Sequence, residues 1–197
     1  VYIEQNVTIH AHTRIEGPVF IGKNSILFGG RISNSTINQL CKVSGEVSNS
    51  IIESYSNKAH AGFLGDSYVG RWVNLGAETT TSNLKNDYSD ISIKFEKNKI
   101  QTNKQFLGTM FGDHVKTAIG TKLNCGTIIR TGSIIFNHTF TTKYYPPFSW
   151  GNADKKTYFK LETFFLALER IMKRRNIELS DNYKNLYIFL HENYTKQ

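Results

Sequence analysis

Phe111 to Ile135 reads FGDHVKTAIGTKLNCGTIIRTGSII, and its period decides the fold. Phe111, Thr117, Leu123, Ile129 and Ile135 recur every six residues, and Val115, Thr121, Thr127 and Ser133 stand four places after the first four of them. A six-residue period suits neither a helix, with about 3.6 residues per turn, nor a long alternating strand; it is the repeat of a parallel β-helix. The first residue of each hexad points inward, and the small or β-branched residue at the fifth place fills a corner. Three hexads then make one coil of a three-sided prism.

The N-terminal region carries the same pattern. Ile3, Ile9, Ile15, Ile21 and Leu27 are six apart, with Val7, Thr13, Val19, Ser25 and Arg31 at the fifth places. The register fails after Arg31, returns at Val43 and Val47, and again at Val69 and Leu75 with Val73 and Thr79. Gly22-Lys23-Asn24, Gly65-Asp66, Gly70-Arg71 and Gly112-Asp113 put glycine or a short polar residue where the chain turns between faces. The spacing predicts an all-β solenoid over residues 1–138. Ile3 opens a repeat with no capping segment before it, so the chain reads as a fragment.

Hydrophobic content of 39% with 20% charged residues is that of an ordinary globule. No apolar run approaches the ~18 residues of a membrane span, and no signal peptide is recognisable, so a cytoplasmic protein is the expectation. Cys41 and Cys125, without a CxxC or neighbouring ligands, read as packing residues and predict neither a disulfide framework nor a metal site. The net charge of +8 is scattered, and its densest block, Arg170, Lys173, Arg174 and Arg175, ends a predicted helix where the dipole favours cations. Anionic small molecules suit that excess better than nucleic acid does.

Residues 28–60 are dense in polar loop formers, which predicts a loop outside the prism, either a plain insertion or one whose Glu46, Lys58 and His60 line a cleft. Within about 81–109, Ile91, Ile93 and Phe95 alternate with polar residues before EKNK, a β-hairpin standing off the solenoid as lid, subunit contact or solvated excursion. Residues 139–197 form an aromatic linker and two helices on the solenoid. The first, over about 155–175, presents Phe159, Leu161, Phe164, Phe165, Leu168, Ile171 and Met172, and the second starts from Ser180 as N-cap.

His60, at the edge of the irregular stretch, is the first candidate for a general base, with a solvated surface histidine as the plain reading. Glu46 is placed to hold its imidazole. His10 and His12 lie on opposite faces of one strand, His114 and His138 stand isolated at coil turns, and His191 is on a helix. Lys116, Lys122 and Arg130 on the last coils are candidates for the phosphates of a CoA-type cofactor.

GEVSNSIIESYSNKAHAGFLGDSYVGRWVNLGAETTTSNLKNDY, residues 45–88, together with NLKN, GDH and PPFSWG, resembles the acetyltransferase domain of the bifunctional N-acetylglucosamine-1-phosphate uridylyltransferase / glucosamine-1-phosphate acetyltransferase family, in its divergent sugar nucleotidyltransferase-like branch. The resemblance runs from the first hexads to the helices. It implies a left-handed β-helix, acetyl-CoA as acyl donor, an amino sugar phosphate or nucleotide sugar as acceptor, a homotrimer with active sites between solenoids, and an N-terminal nucleotidyltransferase domain absent from this chain. His60 matches the family's general base and Glu46 the acidic residue beside it. Ala77 falls where a backbone N–H holds the thioester oxygen, Asn74 matches an asparagine near the amino sugar, and Asn83 opens the segment matching an Asn-Tyr motif.

The chain also departs from that pattern. Phe63 replaces a sugar-contacting tyrosine, Ser48 a phosphate-binding lysine, and Leu84 the tyrosine of the Asn-Tyr motif. Arg31 stands one residue away from the expected arginine, and Lys58, Arg71 or Lys85 is left to supply the missing charge. A CoA-dependent acyltransferase is the leading expectation, and a non-catalytic trimerisation or regulatory domain of a sugar-1-phosphate nucleotidyltransferase the alternative.

Overall fold

A computed structural model describes residues 1–136, 142–151 and 157–195; His138 lies outside them. The hexads fold as expected into a parallel β-solenoid whose short strands stack in a 15-stranded sheet. Three outward columns run along it. On the first face Tyr2, Phe20, Thr36, Ile51, Tyr68, Met110, Ile128 and Tyr144 lie in register. The second carries Thr8, Ile26, Lys42, Asn57, Asn74, Lys116 and Ile134. Arg14, Arg31, Glu46 and Phe63 stack on the third.

Each residue after an outward one points inward, and these make the core: Ile21, Ile37, Ile52, Val69, Phe111, Ile129 and Tyr145 under the first face are all buried. The hydroxyls at the fifth places have a purpose beyond filling corners. Thr121, Thr127 and Ser133 are buried, and each donates to the carbonyl three residues earlier, at 2.7–2.8 Å, so the turn satisfies itself without water. Cys41 and Cys125 are free and buried.

Residues 28–60 do not leave the prism. Ile26–Ile37 and Lys42–Ser48 are continuous strands paired to their neighbours. The hexad register fails because the coil is shortened: Thr36 pairs with Ile51 and Lys42 with Asn57, each fifteen residues on, where Met110 and Ile128 are eighteen apart. Glycines make the shorter corner possible. Gly30, Gly45 and Gly62 stack at positive φ, and a Cβ at Gly30 would stand 2.1 Å from the Gly45 carbonyl oxygen.

The inserted hairpin pairs Ser92–Phe95 with Asn98–Gln101. It does not stand off the solenoid, because its apolar side has somewhere to go: Ile91 is fully buried, and Phe95 meets the Tyr144 ring at 5.7 Å. The sheet also continues past residue 138, with Tyr144–Tyr145 pairing to Ile128–Ile129. Helices α1 (Leu161–Lys173) and α2 (Asp181–Thr195) follow. The Tyr183 N–H donates to Ser180 Oγ at 3.3 Å, the expected cap. Phe159, Phe164, Leu168, Met172 and Tyr187 bury against Trp72 and Phe148, docking the helices on the solenoid. Among the described residues no helix is long and apolar enough to cross a membrane.

His114 sits in that docking layer, not at an isolated turn. It is 1% exposed, with Nε2 2.7 Å from the Tyr183 hydroxyl and its ring stacked on Trp72. Burial, and secondarily the Lys116 charge, hold its pKa down to about 3.

Candidate active site

The shortened corners explain how the third face is assembled. Gly30-Arg31-Ile32, Gly45-Glu46-Val47 and Gly62-Phe63-Leu64 lie directly over one another, so Arg31, Glu46 and Phe63 occupy three successive rungs of one outward column. Rungs are about 4.8 Å apart, so these side chains are neighbours despite separations of fifteen and seventeen residues. Counting hexads misses this column, whereas the recurring glycine, outward residue and inward aliphatic would have shown it.

Charges alternate along a chain of ion pairs that includes Glu16, two residues after Arg14 on the same strand. Arg31 reaches down to Glu16 at 2.8 Å and up to Glu46 at 3.4 Å, while Glu16 also meets Arg14. The Arg31 bonds lower the Glu16 pKa, and the same contacts raise that of Arg31. All these groups are open to solvent, which screens their pairing. The Glu46 carboxylate therefore faces Arg31, in the pattern Arg-Glu-Arg-Glu.

His60 lies on the exposed corner just before Phe63. Its imidazole makes no hydrogen bond among the described residues, so it is open to a substrate, and the Glu46-to-His60 bond expected from the sequence is not formed. The two remain on adjacent rungs, because the Glu46 N–H donates to the Gly62 carbonyl at 3.2 Å.

Lys58, expected to line a cleft, points the other way. Strand alternation over Asn57–Lys58 turns Asn57 outward and Lys58 into the prism beneath Val43, where it is 3% exposed. Its ammonium donates to the carbonyls of His60 at 2.6 Å and Ser44 at 3.0 Å, tying two corners together from inside. Desolvation lowers its pKa to about 8. The cost of holding this proton is full below that value and is relieved as pH climbs toward the ordinary 10.5. Wild type should therefore gain ~2 kcal/mol relative to Lys58→Met between pH 8 and pH 10.5. Urea unfolding of both proteins across that range checks this, and a flat difference would contradict it.

Of the other expected residues, Asn83 and Ala77 lie beside this corner, since Asn83 Nδ2 and the Phe63 ring both crowd Gly65 and the Glu78 N–H donates to the Ala61 carbonyl at 3.0 Å, whereas Asn74 and Lys85 stand apart. Asn74 is on the second face, its Oδ1 accepting from Asn57 Nδ2 at 3.2 Å. Asn83 is half-buried and donates to Asp66 at 2.6 Å, and Lys85 is turned to Ser89 within the insertion. The Ala77 carbonyl accepts from Gly120 N–H at 2.8 Å, and no carbonyl among the described residues takes the Ala77 N–H. Of the cations expected to meet CoA, Lys122 is exposed and pairs in register through Thr80, and Lys116 is on the second face. Arg130 is occupied: it meets Glu96 at 3.5 Å and lies between the rings of Phe95 and Tyr194, fastening hairpin to α2. Within one chain these three cations stand on three different sides of the prism.

No family model matches the chain. Over 92 residues, 47% of the chain, it is 34% identical to the bifunctional protein GlmU of Methanococcus vannielii. Over 96 residues it is 32% identical to the bifunctional sugar-1-phosphate nucleotidylyltransferase/acetyltransferase of Sulfurisphaera tokodaii. Across that half the chain is similar to GlmU-type proteins. The match spans 22% and 24% of the lengths of these two relatives. The solved N-acyltransferase AntD of Bacillus cereus, in complex with dTDP-4-amino-4,6-dideoxyglucose and coenzyme A, aligns with 85% of this chain and 90% of its own at 16% identity and a TM-score of 0.48.

Proposed function

We propose that the solenoid is a GlmU-like acyltransferase unit that moves an acetyl group from acetyl-CoA to the amino group of a sugar phosphate or nucleotide sugar. The observation that carries the reading is the unpartnered His60 imidazole on the corner beside the Arg31–Glu46–Phe63 column. Acetyl-CoA supplies an activated acyl carbon. The free Ala77 N–H fits a developing oxyanion, which needs a donor not already spent on the ladder.

His60 takes the proton that an amine must lose as its nitrogen bonds to the acyl carbon, and returns it to the departing thiolate. Fixing of the His60 backbone by Lys58 from inside the prism keeps that corner from drifting. Glu16 and Glu46 hold the Arg31 guanidinium at 2.8 and 3.4 Å, and an anionic acceptor would take the place of the longer, Glu46 contact. Phe63 offers the sugar an apolar face where a tyrosine would offer a hydroxyl. That exchange, with Glu46 committed to Arg31, is the observation behind the alternative of a non-catalytic assembly or regulatory unit.

The same proposal includes a homotrimer. The first face exposes Tyr2, Ile51, Tyr68 and Met110 in one apolar column, a surface suited to a second copy in a closed cyclic assembly. Sedimentation at micromolar concentration should give three copies, and titration calorimetry should show acetyl-CoA binding. A monomer that binds no acetyl-CoA would contradict the proposal.

A further inference from the structure

A cavity of about 320 Å³ opens between the second face and the C-terminal end of α1. Lys42 and Lys116 reach it from the strands, and Arg174 and Arg175 from the end of the helix. No carboxylate lines it, and none of the four cations is ion-paired among the described residues. Basic residues at a helix C-terminus are ordinarily explained by the dipole. That account does not reach Lys42 or Lys116, which lie three rungs apart on one column with Asn57 and Asn74 between them.

The cavity is also built from both sides. Arg175 crosses to accept-oriented Asn57, donating to its Oδ1 at 3.2 Å, and Asn57 in turn donates to Asn74 at 3.2 Å. Tyr55 and Trp72, stacked at 4.2 Å, make its apolar wall. Lys116 is desolvated enough to bring its pKa down to about 8, and among the described residues its ammonium bonds only the His114 carbonyl, at 3.3 Å. Four like charges gathered without a counter-charge are costly unless an anion joins them.

We infer that this cavity binds a phosphorylated small molecule, its phosphate held by Lys42, Lys116, Arg174 and Arg175 and its organic part against Tyr55 and Trp72. Arginine meets phosphate with a two-pronged fork and lysine as a point charge. The volume is at the low end of ligand pockets, which suits a hexose phosphate or a diphosphate and is too small for a whole coenzyme A. The inference stands whether or not the His60 corner transfers acyl groups.

Titration calorimetry of the full chain with inorganic pyrophosphate tests it, with glucose 1-phosphate and UDP as further arms. Pyrophosphate should bind, and more weakly as salt rises. Arg174→Gln and Lys116→Gln should each weaken it by about tenfold or more, since each removes a charged hydrogen-bond donor. Lys99→Gln on the exposed hairpin should not. Arg174 is exposed, so its variant tests the inference even if Lys116→Gln disturbs packing. Tighter binding of glucose 1-phosphate supports a sugar phosphate as the ligand, and tighter binding of UDP a nucleotide. No binding of any arm at millimolar concentration, or equal affinity in Arg174→Gln, would overturn the inference.

Discussion

His60→Ala lowers acetyl transfer by ~10²–10⁴-fold while leaving the melting temperature and acetyl-CoA affinity nearly unchanged, the loss expected on removing a positioned general base. Both halves of this expectation follow from the corner. The imidazole makes no hydrogen bond within the described fold and is exposed, so the solenoid loses little when it goes. The backbone bond to Lys58 uses the His60 carbonyl, which alanine keeps. Glu46→Gln should cost less, because it weakens the hold on Arg31 and leaves proton transfer to His60. Turnover is read as thiol release from acetyl-CoA. An active wild type whose His60→Ala variant retains its rate would remove His60 from the mechanism.

Acid should detach the helices before it unwinds the solenoid. His114 is neutral in its aromatic box and has a pKa near 3, against an ordinary 6.5, so undocking lets it take up a proton that the docked state refuses. Its contribution is fully present above pH 6.5 and is lost progressively below, amounting to ~3 kcal/mol by pH 4. Among the described residues Nδ1 has no partner even in the neutral ring, and an imidazolium there would face Trp72, Phe164, Tyr183 and Tyr187 and the Lys116 charge. Trp72 fluorescence should report undocking near pH 4 while the β-sheet circular dichroism persists. His114→Phe should flatten that response between pH 4 and pH 7. A wild type whose Trp72 signal is constant over the same range would contradict this assignment.

What the sequence discloses and what it hides differ for a physical reason. Phe111 to Ile135 is legible because its coils are of constant length, so every inward residue repeats on schedule. Residues 28–60 read as a loop because the coils shorten there, and a fixed period cannot follow a corner that Gly30, Gly45 and Gly62 tighten. The same shortening hides the Arg31, Glu46 and Phe63 column, because separations of fifteen and seventeen residues fall outside a six-residue count. Lys58 was misplaced by its chemistry: a lysine suggests solvent, but alternation after Asn57 turns it inward and two carbonyls accept it. The Ser180 cap and the apolar stripe of α1 are local signals and were readable. The cation-lined cavity joins Lys42 to Arg174 across most of the chain, and only the docking of α1 brings them together.

The acyl-transfer reading is tested most directly by incubating the chain with isotopically labelled acetyl-CoA and a panel of amino-sugar phosphates and nucleotide amino sugars, with mass spectrometry of the acceptors. The account predicts label in an amide on at least one acceptor, with free CoA released in equal amount and both abolished by omitting the amine. Unlabelled acceptors across the whole panel, from a protein shown to bind acetyl-CoA, would contradict it and leave the solenoid as an assembly or regulatory unit.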